Sequence, residues 1–124
     1  MSARGRVLVV DDERSMQEFL EIFLRSEGYD AVTVGDVASA REQLEHDEFD
    51  LVITDLQMPG GSGLELLRDV QARPPGDGDA VVIVMTAFAS TETAIAAMKE
   101  GAYDYITKPF KVDAIRIIVE KAIE

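Results

Sequence analysis

The stretch LVITDLQMPGGSG, Leu51 to Gly63, decides how the rest of the chain is read. It opens with three apolar residues in succession, meets Thr54, and reaches a lone carboxylate at Asp55. One proline and three glycines then fall within eight residues. A short apolar run bounded by turn residues reads as a buried strand. GLELLRDVQA follows as a helix that stops before Pro74 and Pro75. The unit is strand, turn, helix, and Asp55 stands at its joint. Either the carboxylate caps the helix, or it does chemistry.

The same unit recurs outward in both directions. RVLVV (Arg6 to Val10) is a β-branched apolar strand, followed by Met16, Phe19, Leu20, Phe23 and Leu24 on one helix face, ending near Gly28. AVTV (Ala31 to Val34) is a second strand, and DVASAREQLEHD a helix with Asp36 as its N-cap. DLVIT (Asp50 to Thr54) is the third strand and AVVIVMT (Ala80 to Thr86) the fourth. TETAIAAMKEG is a helix closed by Gly101. YDYIT is the fifth strand, and VDAIRIIVEKAIE the last helix, with Ile115, Ile118, Val119 and Ala122 inward.

The central strands are apolar at successive rather than alternating positions. Both of their faces must therefore be covered, which calls for a parallel sheet with helices on each side. Right-handed crossovers leave few strand orders, and 2-1-3-4-5 is the expected one. In such sheets ligands bind outside the carboxyl ends of the strands, here between the first and third.

Composition narrows the function classes. A chain of 124 residues makes one domain with a core of its own. Without cysteine there is no disulfide framework and no thiolate metal site. Multi-histidine zinc sites are excluded because His46 is the single histidine, expected on the surface near a helix end. Twelve basic against 24 acidic residues give a net charge of −12, so binding to nucleic acid or to an anionic membrane is not expected. No apolar run has membrane-spanning length and no signal peptide is visible, so a cytoplasmic location is the default expectation.

Read together, the strand ends change the meaning of Asp55. The first strand ends in Asp11, Asp12 and Glu13, the third in Asp55, and the fourth in Thr86; Lys108 and Pro109 follow the fifth. All belong to one edge of one sheet. Two carboxylates about 5 Å apart at an effective dielectric near 20 repel by roughly 3 kcal/mol, so three of them need a cation. Hard oxygen ligands without nitrogen or sulfur favour Mg²⁺. With Lys108 as a fixed charge, Thr86 as a hydroxyl and a spare carboxylate, the set has the parts of a phosphoryl-transfer site with a carboxylate nucleophile. Taken singly, Asp11, Asp12 and Asp55 are ordinary helix-start acids, and Thr86 and Lys108 ordinary surface groups.

At these residues the chain resembles the receiver domains of two-component response regulators, over essentially its whole length. The matching segments are VVDDE, ITDLQMPGGSGLELL, VMTAF and GAYDYITKPF, in receiver order and spacing. The resemblance implies a flavodoxin-like (CheY-like) doubly wound α/β fold, one receiver domain over residues 1–124, and a regulatory domain that catalyses only its own phosphorylation and dephosphorylation. It makes Asp55 the phosphoacceptor, with a sensor histidine kinase as donor. Mg²⁺ would be held by Asp12 directly, by Asp11 through water, by Asp55, and by the backbone carbonyl of Gln57. Thr86 would follow the phosphoryl group, Tyr105 would be the switch aromatic, and Lys108 would pair with the phosphoryl oxygens. The Lys108–Pro109 bond is expected to be cis. The face of the fourth helix, fifth strand and fifth helix would change on phosphorylation and could serve as a homodimer contact.

MTAFASTETAIAAMKEGAYDYITKPF most resembles receivers joined to NtrC-type AAA+ activators of an alternative sigma factor. Because Ala122-Ile123-Glu124 carries no helix stop signal, the expectation is a piece of a longer transcription regulator whose output domains lie outside it. A stand-alone receiver is the alternative. Two details depart from the family pattern. Gly61 and Ser62 stand where a bulky apolar residue and an acid are usual, and the adjacent glycines Gly60 and Gly61 should loosen the loop at the start of the third helix. Ala89 replaces a frequent glycine. Phe88, two past Thr86, cannot orient a water, so slow autodephosphorylation is expected. Ile117 and Ile123 are expected off the inward stripe, as dimer contacts.

Rival classes fit less well. A flavodoxin-like FMN binder would hold a phosphate after the first strand, where DDER repels one. A haloacid-dehalogenase-like phosphatase wants a second acid at Gln57. No P-loop motif occurs.

Overall fold

The computed structural model describes residues 4–58, 61–73, 80–87 and 91–123. Five strands form one parallel sheet: β1 (Arg6–Val10), β2 (Asp30–Val34), β3 (Leu51–Asp55), β4 (Val81–Thr86) and β5 (Asp104–Thr107), in the order β2-β1-β3-β4-β5. The helices are α1 (Arg14–Ser26), α2 (Val37–His46), α3 (Gly63–Gln71), α4 (Thr91–Lys99) and α5 (Val112–Ile123). The expected doubly wound order and the strand limits hold to within one residue. Among the described residues no helix is long and apolar enough to cross a membrane.

Burial follows from the successive apolar positions. On β3, Leu51 and Ile53 face one layer, with Leu20 and Leu24 of α1 and Ile115 and Val119 of α5. Val52, between them, faces the other, with Ala40 and Leu44 of α2, Leu66, Leu67 and Val70 of α3, and Ala97 of α4. A strand with partners on both sides cannot alternate apolar with polar, and all five residues of β3 are buried. Each fully buried Leu, Ile or Val contributes about 1.5–3 kcal/mol of transfer free energy, so the central strands anchor the fold.

Local signals end the helices as the residue types require. Asp36 caps α2, its Oδ1 accepting from the Ser39 amide at 2.7 Å. Gly28 and Gly101, just past α1 and α4, adopt φ of +93° and +101°, a region that side chains other than glycine's rarely enter. His46 is exposed at the end of α2, as expected.

One expectation is corrected. Ile123 is not off the inward stripe: it is half-buried and packs on the α1/α5 core layer, lying 3.2 Å from where a Cβ on Gly5 would sit. Only Ile117 of that pair is exposed. The start of α3, where adjacent glycines are expected to loosen the chain, has local partners. Gln57–Met58 pairs antiparallel with Gly61–Ser62, and the Ser62 hydroxyl accepts from the Glu65 amide at 3.4 Å as the N-cap. A serine at this position thus supplies a cap. Phe88 and Ala89, on which two further expectations fell, lie outside the described residues.

Candidate phosphoryl-transfer site

Parallel pairing brings the functional side chains to one edge. Asp55 is the last residue of β3 and pairs in register with Met85; Thr86 is the next residue and the end of β4. Asp11 directly follows β1, and its amide donates to the Val34 carbonyl of β2 at 3.1 Å. Lys108 directly follows β5, and its amide donates to the Thr86 carbonyl at 2.8 Å. Each side chain is carried to the rim by the ladder next to it.

The ammonium of Lys108 joins two of the acids. Nζ donates to Asp11 Oδ2 at 2.6 Å and to Asp55 Oδ2 at 2.9 Å, and lies 4.0 Å from Glu13 Oε1. The Lys108 side chain is 10% exposed and that of Asp11 0%. The other carboxylate oxygens are held by backbone: Asp11 Oδ1 accepts from the Glu13 amide at 2.9 Å, and Asp55 Oδ1 from the Gln57 amide at 3.0 Å. Burial on its own would lower the pKa of Lys108. The hydrogen bonds and charges of Asp11 and Asp55 outweigh it, and the pKa is raised above the ordinary lysine value.

Asp12 completes the group from the solvent side. Among the described residues, Asp11, Asp12 and Asp55 form the acid set that could hold a metal ion, each offering an oxygen within 4.8 Å of the others. One ammonium balances only one of three negative charges, so the set has room electrostatically for a divalent cation. All donors are hard oxygens, which suits Mg²⁺. Gln57, beside Asp55, is placed in the short ribbon with its side chain exposed. Thr86 is buried at the rim. Tyr105 pairs with Val84 in the middle of β5 and is exposed, so its ring lies on the outer face in this state. The Lys108–Pro109 bond is cis.

Two further residues shape the site and were not singled out from the sequence. A Cβ on Gly63 would run into the Asp55 carbonyl oxygen, so only glycine lets α3 begin this close to the acceptor strand. Its one visible sequence signal is its place just after the Ser62 cap. Gln17 of α1 donates from Nε2 to the Asp11 carbonyl at 2.6 Å. An amide beside a helix's apolar face carries no signal that separates this role from solvation.

The arrangement matches a known family. The model of the response regulator receiver domain matches residues 7–120. The chain belongs to that family. This receiver domain is 40% identical over 121 residues to the response regulator protein PilR of Pseudomonas aeruginosa, over 98% of this chain and 26% of that protein. To the DNA-binding transcriptional regulator NtrC of Escherichia coli it is 38% identical over 120 residues, 97% of this chain and 25% of that one. The receiver domain therefore spans about a quarter of the length of these two relatives. Among solved structures, the beryllofluoride-activated NtrC4 receiver domain dimer matches with a TM-score of 0.87 and 36% identity, over 95% of both chains. The flavodoxin-like fold and the kinship with NtrC-type regulators of two-component systems, expected from the motifs, are thereby borne out.

Proposed function

We propose that Asp55 accepts a phosphoryl group from the phosphohistidine of a sensor histidine kinase. The observation that carries this reading is the Lys108 ammonium, held at 2.6 Å from Asp11 and 2.9 Å from Asp55 within a three-carboxylate cluster. An oxygen of the Asp55 carboxylate attacks phosphorus, the P–N bond to the imidazole breaks, and the imidazole nitrogen keeps the electron pair. Lys108, already beside Asp55 Oδ2, stabilises the charge on the transferring oxygens. The Gln57 amide on Oδ1 keeps the carboxylate aimed. Mg²⁺ would be held by Asp11, Asp12, Asp55 and the Gln57 carbonyl, and when bound supplies further charge neutralisation at the phosphoryl group.

The acyl phosphate adds charge next to Thr86, whose hydroxyl moves to it, and Tyr105 turns from the outer face toward the space left. The α4-β5-α5 face is the output surface and a homodimer contact. The name of NtrC, a DNA-binding transcriptional regulator, supports an output in transcription regulation. That the receiver covers about a quarter of PilR and of NtrC supports an output joined to it in one longer protein, which we place in the cytoplasm. The dimeric NtrC4 receiver supports pairing of activated copies. The domain turns over no separate substrate.

The test is acetyl phosphate with Mg²⁺, followed by intact mass. Wild type is expected to gain one phosphoryl group and Asp55→Asn none. A wild type that gains none, or an Asp55→Asn variant that gains as much, would sink the reading.

A further inference from the structure

We propose that Gln17 is a positioning residue that aims the Asp12 carboxylate into the acid cluster. The inference rests on the proposed Mg²⁺-dependent phosphoryl transfer at Asp55.

The argument starts from what fixes Asp11 and what does not fix Asp12. Every polar group of Asp11 is engaged. Its amide donates to the Val34 carbonyl at 3.1 Å. Its two carboxylate oxygens accept from the Glu13 amide and the Lys108 ammonium. Its carbonyl accepts from Gln17 Nε2 at 2.6 Å. The first three hold the residue and its side chain. The fourth acts on the next peptide plane, because a carbonyl and the following N–H are rigidly coplanar. Fixing the Asp11 carbonyl therefore sets the direction in which the chain leaves for Asp12.

Asp12 depends on that direction. It is exposed, yet its carboxylate reaches to within 4.8 Å of those of Asp11 and Asp55. Repulsion from two carboxylates pushes it toward solvent, and of the three aspartates it is Asp11 and Asp55 that hold the Lys108 ammonium. The backbone is what keeps Asp12 near the cluster. Gln17 itself is well held: its own amide donates to the Glu13 carbonyl at 3.1 Å in the first turn of α1, and its side chain is half-buried. Gly35, just past β2, lies beside this hydrogen bond: a Cβ there would make ordinary van der Waals contact with Gln17 Nε2 at 3.4 Å. Helix α1 thus reaches back across the loop and holds the metal side of the site without touching the reacting atoms.

Two variants separate positioning from mere stability. Gln17→Met keeps the length of the side chain and removes the donor. Gln17→Glu puts a carboxylate against the Asp11 carbonyl. Mg²⁺ is titrated into each unphosphorylated protein and followed by backbone NMR, including the Asp11 carbonyl carbon. Phosphorylation by acetyl phosphate is then measured across Mg²⁺ concentrations. Wild type binds Mg²⁺; Gln17→Met binds it about fivefold more weakly, the value of one ordinary hydrogen bond, and Gln17→Glu no more tightly than Gln17→Met. The Asp11 carbonyl resonance moves in both variants before any Mg²⁺ is added. At saturating Mg²⁺ the phosphorylation rate of Gln17→Met returns to within about twofold of wild type, so the loss lies in metal affinity and not in the chemical step. Equal Mg²⁺ affinity in wild type and Gln17→Met overturns the inference, as does a rate loss that saturating Mg²⁺ leaves in place. Wild type that takes up neither Mg²⁺ nor a phosphoryl group overturns the proposed function, and this inference with it.

Discussion

Two ion pairs in this molecule close to the same 2.6 Å. One is Lys108 with Asp11 at the rim of the sheet, the other Arg68 of α3 with Glu100 just past α4. Distance does not distinguish them, but surroundings do. Lys108 and Asp11 have side chains 10% and 0% exposed, whereas Arg68 and Glu100 are 57% and 32% exposed. An exposed pair is screened by water and salt and must order two long side chains. A buried pair has already given up its hydration, so neither member can lose its partner without leaving a stranded charge. The Arg68–Glu100 pair is a surface contact. The Lys108–Asp11 pair belongs to a site that keeps three acids together.

The largest expected effect breaks the buried pair from its cationic side. Lys108→Met leaves Asp11 and Asp55 without their shared ammonium, and should cost about 3 kcal/mol in urea unfolding without divalent metal. Added Mg²⁺ should recover part of that loss by binding the folded state. A loss that Mg²⁺ does not touch would mean that packing of the lysine stem matters more than charge. Removing a negative charge from the same cluster should act the other way. Asp12→Asn cuts the repulsion while sparing both Lys108 contacts, and should stabilise the metal-free domain by about 1 kcal/mol, less than the unscreened figure because Asp12 faces water. A destabilised Asp12→Asn would show that the cluster is not under electrostatic tension.

The contrast also marks what could be read from residue order. Uninterrupted apolar runs on the central strands required a double-sided parallel sheet, and parallel strands put Asp11, Asp55, Thr86 and Lys108 on one edge whatever their side chains do. That much depends on the backbone, and the structure agrees with it. Side-chain direction was less legible. Ile123 was expected off the inward stripe with Ile117, yet it falls four residues after Val119 and eight after Ile115, so the helix period carries it onto their buried face while Ile117 stays in solvent. Gly63 read as an ordinary helix start, although contact with the Asp55 carbonyl excludes a Cβ. That contact exists only after the loop has folded back. Gln17 was silent for a similar reason, since its partner is a backbone carbonyl and carries no residue identity.

A smaller effect should appear in alkali. Lys108 has a raised pKa in the folded state. The stability it contributes is therefore complete below the unfolded lysine value of about 10.4, and is lost as pH rises through the higher folded value. Urea midpoints of wild type should fall over that range more than those of Lys108→Met. Parallel curves would show that the lysine charge is not what the site loses.

Least of all should follow from Arg68→Ala. Glu100 raises the pKa of Arg68 through a hydrogen bond and its charge, but this gives stability no pH dependence, because an arginine stays charged in folded and unfolded chains alike at any pH where the domain folds, and water and salt screen the exposed pair. The variant should unfold at the wild-type midpoint within error, and added salt should not separate the two. Nearby, Gln71 donates to the Gly101 carbonyl at 2.8 Å and already joins the same ends of α3 and α4. If Arg68→Ala were measurably weaker, the reason to look for would be cooperation with that amide. The double variant Arg68→Ala/Gln71→Ala would then lose more than the sum of its parts, and the exposed pair would have to be counted as part of a helix joint instead of as a solvated contact.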